Sequence, residues 1–242
     1  NAQLSSSDDA SPYGRFYVYY YNNGSAADSG FKASLQSGSV ATSTMLYSIS
    51  DGLTLTSTGS WNHYAITVAN SGTDLVYQVY ENGTIVNTTT ETDQAVNEIT
   101  GALVATVGAL NSAVYTTPGV TTGSIGWYKT SGSIDEFRYW KTKRNAQQIG
   151  RHWFSQVGGG TNSDTANTQL GVYYKFNEGI TGDSSIDSVV LDFSGRISNG
   201  TFAGYETSYS RNTGSALIES SASAIEFEDP IIYADHPRVV SL

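Results

Sequence analysis

The sequence predicts an all-β fold of two packed antiparallel sheets with one short helix. Apolar and polar residues alternate in stretches rich in tyrosine and threonine along much of the 242-residue chain, which is typical of strands with one wet face. Turn signals such as Asn22-Asn-Gly-Ser25, Ser50-Asp-Gly52 and Glu81-Asn-Gly-Thr84 separate these stretches. Such signals at a spacing of roughly 8–12 residues indicate a β-sandwich.

The alternating stretches and the polar segments between them give the predicted order of elements. The predicted strands are 15–21, 31–35, 45–49, 53–55, 61–68, 75–80, 102–107, 124–128, 132–140 and 170–176. Residues 1–12 are expected to be a flexible polar lead-in, 87–100 a threonine-rich loop, and 157–169 a glycine-rich connector. Only one helix is expected in the chain.

That helix is predicted at 145–153, directly after the strand 132–140. Asn145 followed by Gln148 has the spacing of an N-cap with its reciprocal partner. Ile149 and Trp153 are four residues apart, which gives the helix one apolar stripe. Strand, basic turn and short helix therefore follow one another in a specific order.

Strand 132–140 places two acids, Asp135 and Glu136, where the alternating pattern calls for burial. A buried carboxylate is costly unless it is hydrogen-bonded, paired with a cation or bound to a metal. We therefore expect these acids to hold backbone N–H groups, an arginine or a cation.

Composition excludes several classes of function. A formal net charge of -10 argues against binding to nucleic acid or to anionic membranes. The chain has no cysteine, so it can contain neither disulfides nor a thiolate metal site. No apolar run approaches the ~20 residues that a spanning helix needs. The first residue is Asn1, without a methionine or signal peptide, which suggests a fragment or processed segment.

Three separated motifs resemble a known family. They are Trp61-Asn-His63-Tyr-Ala65, then Tyr80-Glu-Asn-Gly83, then the strand 132–140 with the helix after it. In this order they resemble the laminin-G-like branch of the concanavalin A-like lectin/glucanase superfamily, over roughly residues 45–154. The resemblance implies an antiparallel two-sheet jelly-roll sandwich.

A second part of the chain resembles the opening of such a domain, although it comes after the closing motifs. It consists of 172–179, Asp192-Phe-Ser-Gly195 and Asn199-Gly200. Either an incomplete second domain begins at about 170, or these strands complete the first sandwich. We favour completion, because an isolated opening hairpin would not be stable alone. Residues 1–228 are then one domain, and 229–242 form a C-terminal arm or linker.

The resemblance also suggests site residues. Calcium is the cofactor it implies, with Asp135 and Asp192 near the family's sites; the alternative is that both acids cap turns or accept backbone N–H groups. Trp61 and Trp140 are expected to be buried core anchors, with His63 as a hydrogen-bonded structural residue beside Trp61. An exposed sugar platform would use aromatic residues of the 111–131 loop. Its candidates are Tyr115, Trp127 and Tyr128.

Catalysis is not expected. Glucanases of this superfamily carry Glu-x-Asp-x-x-Glu on one strand, whereas Asp135 and Glu136 are adjacent and on opposite faces of theirs. The acids of Glu226-Phe-Glu228-Asp229 have no third partner at the spacing of that motif, and the chain has neither a His-x-x-x-His pair nor a Gly-x-Ser-x-Gly elbow. Four Asn-x-Ser/Thr sequons begin at Asn23, Asn82, Asn87 and Asn199. The first, second and fourth are Asn-Gly turns, so turn formation explains these residues without glycosylation.

These observations favour a non-catalytic structural or adhesive lectin-like module. The helix-to-glycine linker and the segment 226–233 resemble parts of structural proteins of large tailed phages. The expected location is therefore a virion surface or an extracellular assembly. Expected partners are other assembly subunits, copies of the chain itself and a cell-surface polysaccharide. The alternative is a secreted bacterial carbohydrate-binding module, and a polysaccharide hydrolase is the less favoured third class.

Overall fold

A computed structural model of the chain describes residues 2–6, 13–21, 30–38, 44–47, 61–97, 103–110, 129–130, 132–157, 169–206 and 210. Its strands are β1 (Ala2–Ser6), β2 (Tyr13–Tyr21), β3 (Gly30–Gly38), β4 (Thr44–Tyr47), β5 (Tyr64–Ser71), β6 (Asp74–Glu81), β7 (Thr84–Glu91), β8 (Leu103–Val107), β9 (Phe137–Trp140), β10 (Leu170–Tyr174), β11 (Val189–Val190) and β12 (Gly200–Thr201). The two helices among the described residues are α1 (Ala146–His152) and α2 (Ser184–Asp187). Strands predominate, which confirms the all-β prediction, but the expectation of a single helix is wrong, because Asp183 caps the start of the second short helix α2.

The chain divides into two compact units. The first comprises the described residues up to Ile134 together with 140–156, and the second comprises 135–139 and the described residues from Val157 onward. The prediction that 1–228 form a single domain stays a prediction.

The first unit contains two antiparallel sheets. One is five-stranded in the order β4-β3-β2-β1-β8, and the other is the meander β5-β6-β7. Alternate residues of a strand point to one face, and the inward faces of β3 and β6 contribute to the same buried cluster. Its members are Ala33, Leu35, Leu75, Tyr77 and Val79. A single apolar cluster therefore includes residues from both sheets.

Helix α1 and its cap are confirmed as predicted. The Asn145 side chain accepts a hydrogen bond from the Gln148 backbone N–H at 2.8 Å, and the Gln148 side chain accepts one from the Asn145 N–H at 3.0 Å. These two bonds satisfy donors that a helix start leaves unpaired. Ile149 is buried, as the apolar stripe required.

The second unit contains two small pairings and the short helix. Strand β10 pairs with β9, and β11 pairs with β12. Helix α2 begins after Asp183, whose side chain accepts a hydrogen bond from the Ser185 N–H at 2.9 Å. The apolar face predicted for β10 was Val172, Tyr174 and Phe176, but these are only partly buried; Tyr173, on the opposite face, is fully buried.

The predicted strand 132–140 is wrong in its first half. Strand β9 begins at Phe137, and Glu136 has φ 54°, a left-handed conformation that interrupts the alternation. The backbone turns here, with the Asp135 carboxylate accepting the Glu136 N–H at 2.9 Å.

Two further expectations, for the lead-in 1–12 and for the segment 87–100, were wrong. The lead-in contains β1, which pairs on both sides with β2 and β8, and β7 runs to Glu91 through the segment expected to be a loop.

The expected burial of Trp61 is wrong, because its side chain is 53% exposed. Strand β5 begins only at Tyr64, so Trp61 precedes the strand and lies on none of its core-facing positions. The expected burial of Trp140 holds only in part. Its ring is partly covered and carries the Arg144 guanidinium at 4.1 Å from the ring centroid.

Candidate functional site

The tight turn between β6 and β7 brings together the first two sequence motifs. Asn82 and Gly83 have φ angles of 47° and 80°, the two positive values that an Asn-Gly hairpin turn requires. The Asn82 side-chain oxygen accepts the His63 N–H at 2.9 Å, and the Asn82 N–H donates to the His63 carbonyl at 2.8 Å. Its amide nitrogen donates to the Asn62 side chain at 3.0 Å. The segment preceding β5 is thereby fixed to the turn.

Helix α1, which follows the third motif, packs against the same turn. A Cβ placed on Gly83 would lie 2.7 Å from Trp153 Nε1, so only glycine leaves room for the indole ring. Trp153 in turn contacts Phe154 edge to face, with ring centroids 5.4 Å apart. Phe154 is 58% exposed. We call this group the aromatic turn site; its residues are Trp61, Asn62, Asn82, Gly83, Trp153 and Phe154.

A second cluster lies in the second unit, around Tyr173. The Tyr173 hydroxyl donates to Glu136 Oε2 at 2.6 Å, and Arg138 contacts the same oxygen at 2.8 Å. The Arg138 and Glu136 side chains are only 8% and 9% exposed. A left-handed non-glycine residue costs about 1–3 kcal/mol and persists only where its surroundings hold it. The two partners of the Glu136 carboxylate supply such a restraint.

Cations also lie against the Tyr173 ring. The Arg138 guanidinium is 5.2 Å and the Lys175 ammonium 5.3 Å from its centroid, within the range of cation–π attraction. Lys175 also lies 4.7 Å from the Phe193 ring centroid. Burial, reinforced by the hydrogen bond to Glu136, raises the pKa of Tyr173 well above its ordinary value. The phenol therefore remains a hydrogen-bond donor at alkaline pH values where an ordinary tyrosine ionises.

Asp192 organises the loop between β11 and β12. One carboxylate oxygen accepts the N–H groups of Tyr173 and Ser194, each at 2.9 Å. The other accepts the Ser194 hydroxyl at 2.8 Å and the Ser198 N–H at 2.9 Å. Burial alone would raise the pKa of Asp192, but these hydrogen bonds outweigh it and lower the pKa below its ordinary value.

The placement of Asp192 does not fit a calcium ligand. Calcium takes carboxylate and carbonyl oxygens, whereas both Asp192 oxygens face N–H and O–H donors, which a cation would have to displace. Asp135 accepts its neighbour's N–H. In the described part of the chain, no group of three or more His, Cys, Asp or Glu residues could hold a metal ion. Both acids follow the alternative expectation of accepting backbone N–H groups, and calcium stays an untested prediction.

The other predicted site residues have different outcomes. His63 is partly buried and its backbone is bonded to Asn82, while the hydrogen-bonded structural role expected of its imidazole stays a prediction. Tyr115, Trp127 and Tyr128, the expected sugar platform, lie outside the described residues. Sequence reasoning missed the pairing of Glu136 with Tyr173. No local signal distinguishes Tyr173 from its neighbour Tyr174, because both are tyrosines on one strand.

Comparisons with known proteins supply no family assignment: no family model, curated protein or solved structure matches the chain. Within the described ranges, neither helix has the length and apolar character needed to cross a membrane. The case for function therefore depends on the two clusters and the Asp192 loop.

Proposed function

We propose that the chain is a non-catalytic structural or adhesive module with a laminin-G-like jelly-roll sandwich fold. The shared cluster of β3 and β6 supports packing of the two sheets face to face, since Leu35 and Tyr77 belong to the same buried group. The junction of the Trp61–His63 segment, the Asn82–Gly83 turn and helix α1 supports the family resemblance, because the first two motifs and the helix that follows the third meet there.

The observation that carries the non-catalytic role is the use of Glu136. Its Oε2 atom is shared by the Tyr173 hydroxyl and the Arg138 guanidinium. Glycosidases need two carboxyl groups across the scissile bond, separated by ~5–5.5 Å for retention or ~6.5–9.5 Å for inversion. Glu136 instead braces the polypeptide, and the Asp192 carboxylate is occupied by loop donors. These acids serve the fold.

The carboxylate of Asp187 is likewise occupied by hydrogen-bond donors of its own loop. This 2%-exposed side chain accepts hydrogen bonds from the Thr181 N–H at 2.9 Å, the Thr181 hydroxyl at 2.8 Å and the Gly182 N–H at 3.0 Å. Hydrogen bonds to a carboxylate are stronger than those between neutral groups. A module that fixes its loops through carboxylates suits a structural or adhesive role in a virion or extracellular assembly.

The exposure of Trp61 and Phe154 favours a glycan-binding role. The alternative class, a secreted carbohydrate-binding module, would share this role. Other subunits of the assembly are the alternative partners. Both roles agree with a net charge of -10, which disfavours nucleic acid.

The experiment is a reducing-sugar assay on laminarin, agar and carrageenan with the full chain and its Glu136→Gln variant. We expect no release above a protein-free control. Release that disappears in Glu136→Gln would contradict the non-catalytic role. Light scattering across a concentration series then addresses assembly: self-association supports a subunit role, whereas a strict monomer favours the free-standing binding module.

A further inference from the structure

Two large aromatic side chains at the aromatic turn site remain exposed, although the fold buries other aromatic residues thoroughly. Trp61 is 53% and Phe154 58% exposed, whereas Tyr77 and Tyr80 nearby are 0% and 1% exposed. Aromatic side chains carry a large apolar area whose contact with water is unfavourable. Single exposed apolar residues need no explanation, but these two are attached to the same tight turn.

The backbone that carries Trp61 is held in place. Asn82 binds the next two residues, Asn62 through its side chain and His63 through its backbone, at 2.8–3.0 Å. On the other side, Trp153 lies against Gly83 and supports Phe154 edge to face. Groups fixed before binding avoid much of the ordering cost of association. The site therefore resembles a preformed binding surface more than a loosely exposed pair of rings.

The chemistry around these rings suits a sugar. The faces of a pyranose ring that carry C–H groups are apolar and pack against an indole, while its hydroxyl groups need hydrogen-bonding partners. Asn62 directly follows Trp61, and its side-chain amide, whose oxygen accepts the bond from Asn82, has an NH2 group to offer a sugar hydroxyl. This is in keeping with sites where an apolar surface is combined with a few polar groups. Charge limits the sugar further, because a chain of net charge -10 repels uronate and sulfate polymers.

We infer that the aromatic turn site binds a neutral polysaccharide, with Trp61 stacking on a sugar ring, the Asn62 amide bonding its hydroxyl groups, and Phe154 contacting an adjacent unit. This inference rests on the proposed adhesive function and locates its binding surface. If the rings instead bound a protein partner, none of the polysaccharides would be expected to bind in preference to the others.

The test is electrophoresis of the full chain in native gels containing laminarin, galactomannan, xyloglucan or, as an acidic polymer, alginate. We expect at least one neutral polysaccharide to retard the protein and alginate not to. Trp61→Ala should weaken this binding at least tenfold, Phe154→Ala should weaken it several-fold, and Trp61→Phe should retain part of it. Val104→Ala is the matched control, because Val104 is also exposed, at 44%, but lies on β8.

Thermal melting of each variant separates binding from folding, and we expect Trp61→Ala to melt close to the parent because its side chain is half in water. Unchanged retardation of Trp61→Ala, or no retardation of the parent by any neutral polysaccharide, overturns the inference. Loss of binding in Trp127→Ala but not in Trp61→Ala would also overturn it, yet would leave the glycan-binding role intact. Release of reducing sugar would instead contradict the non-catalytic role and leave the assignment of Trp61 standing.

Discussion

The phenolic oxygen of Tyr173 and the carboxylate of Glu136 are 2.6 Å apart, and this bond ties β10 to the left-handed residue that precedes β9. Arg138 shares the carboxylate oxygen at 2.8 Å. The bond joins side chains 37 residues apart in the sequence and adds a side-chain link to the backbone pairing of β9 with β10.

Removing the Tyr173 hydroxyl tests this connection. Tyr173→Phe keeps the ring and its cation contacts but leaves a nearly buried carboxylate with one donor fewer, so we expect a loss of about 1–3 kcal/mol in the free energy of unfolding. Tyr174→Phe is the control, since its hydroxyl donates to the Ser198 carbonyl at an exposed position. Denaturant titration should show a smaller loss for Tyr174→Phe; equal losses would contradict a special role for Tyr173.

The same pair has an expected alkaline signature. Burial and the hydrogen bond to Glu136 raise the pKa of Tyr173 in the folded state, so its stabilising contribution is complete below the unfolded value of about 10 and declines as pH rises above it. Tyr173→Phe should therefore lose less stability than the parent as the pH rises above about 10. Parallel curves for the two proteins would argue against this assignment.

Asp192→Asn should weaken the loop between β11 and β12. The amide nitrogen cannot accept a hydrogen bond, so N–H donors of Ser194 or Ser198 lose their partner, at a cost of about 1–3 kcal/mol. The pKa of Asp192 is lowered on folding, so its contribution is present above about pH 4 and is lost as pH falls through the folded value. We expect melting curves of the variant to depend less on pH in this acidic range. Asp93→Asn, in an exposed turn, is the control.

Calcium addition provides a separate test at Asp192. Four hydrogen bonds surround its carboxylate, so we expect neither millimolar calcium nor a chelator to change the melting temperature of the parent. An increase with calcium that Asp192→Asn removes would instead support the metal site that the family resemblance implies.

Two glycines with left-handed φ angles allow the contact between Gly83 and Trp153 to be measured. Gly72 and Gly83 have φ angles of 65° and 80°, but a Cβ on Gly72 would meet nothing within 4 Å, whereas one on Gly83 would meet the Trp153 ring. Gly72→Ala should cost only the backbone strain of about 1–2 kcal/mol. Gly83→Ala should cost clearly more in chemical denaturation and should shift the tryptophan emission. Equal costs would mean that Trp153 does not depend on the turn.

Ending the chain after residue 156 tests the second unit. The truncated protein keeps β9 but lacks its partner β10, together with Tyr173, the donor to Glu136. We expect a lower melting temperature and a broader transition than for the full chain. Unchanged, fully cooperative melting would show that residues from 157 onward fold separately.

Local chemistry made helix α1 and the β6–β7 turn predictable, because Asn145 with Gln148 and Asn82 with Gly83 determine their conformation from neighbouring residues. The left-handed Glu136 was not predictable, since it is held by Tyr173, far away in sequence. Strand β1 also escaped prediction, because Leu4 is the one large apolar residue in a segment stabilised by its pairing with β2 and with the distant β8. Trp61 was misassigned because the predicted strand began at residue 61, three residues before the true start of β5 at Tyr64.

The position of β1 has a consequence for how the protein folds. Ala2 is paired with both Val18 and Val107, so β1 is an interior strand with one early and one late partner. The pairing of β1 with β8 closes a loop of roughly a hundred residues. The chain must lose the conformational entropy of closing this loop before the contact can stabilise it. On a ribosome, the free edge of β1 would stay open until β8 emerges. Proteins dominated by such distant pairings fold slowly, and an unpaired strand edge can recruit other chains. The nascent chain is thus most exposed to misassembly during this interval, before its five-stranded sheet is complete.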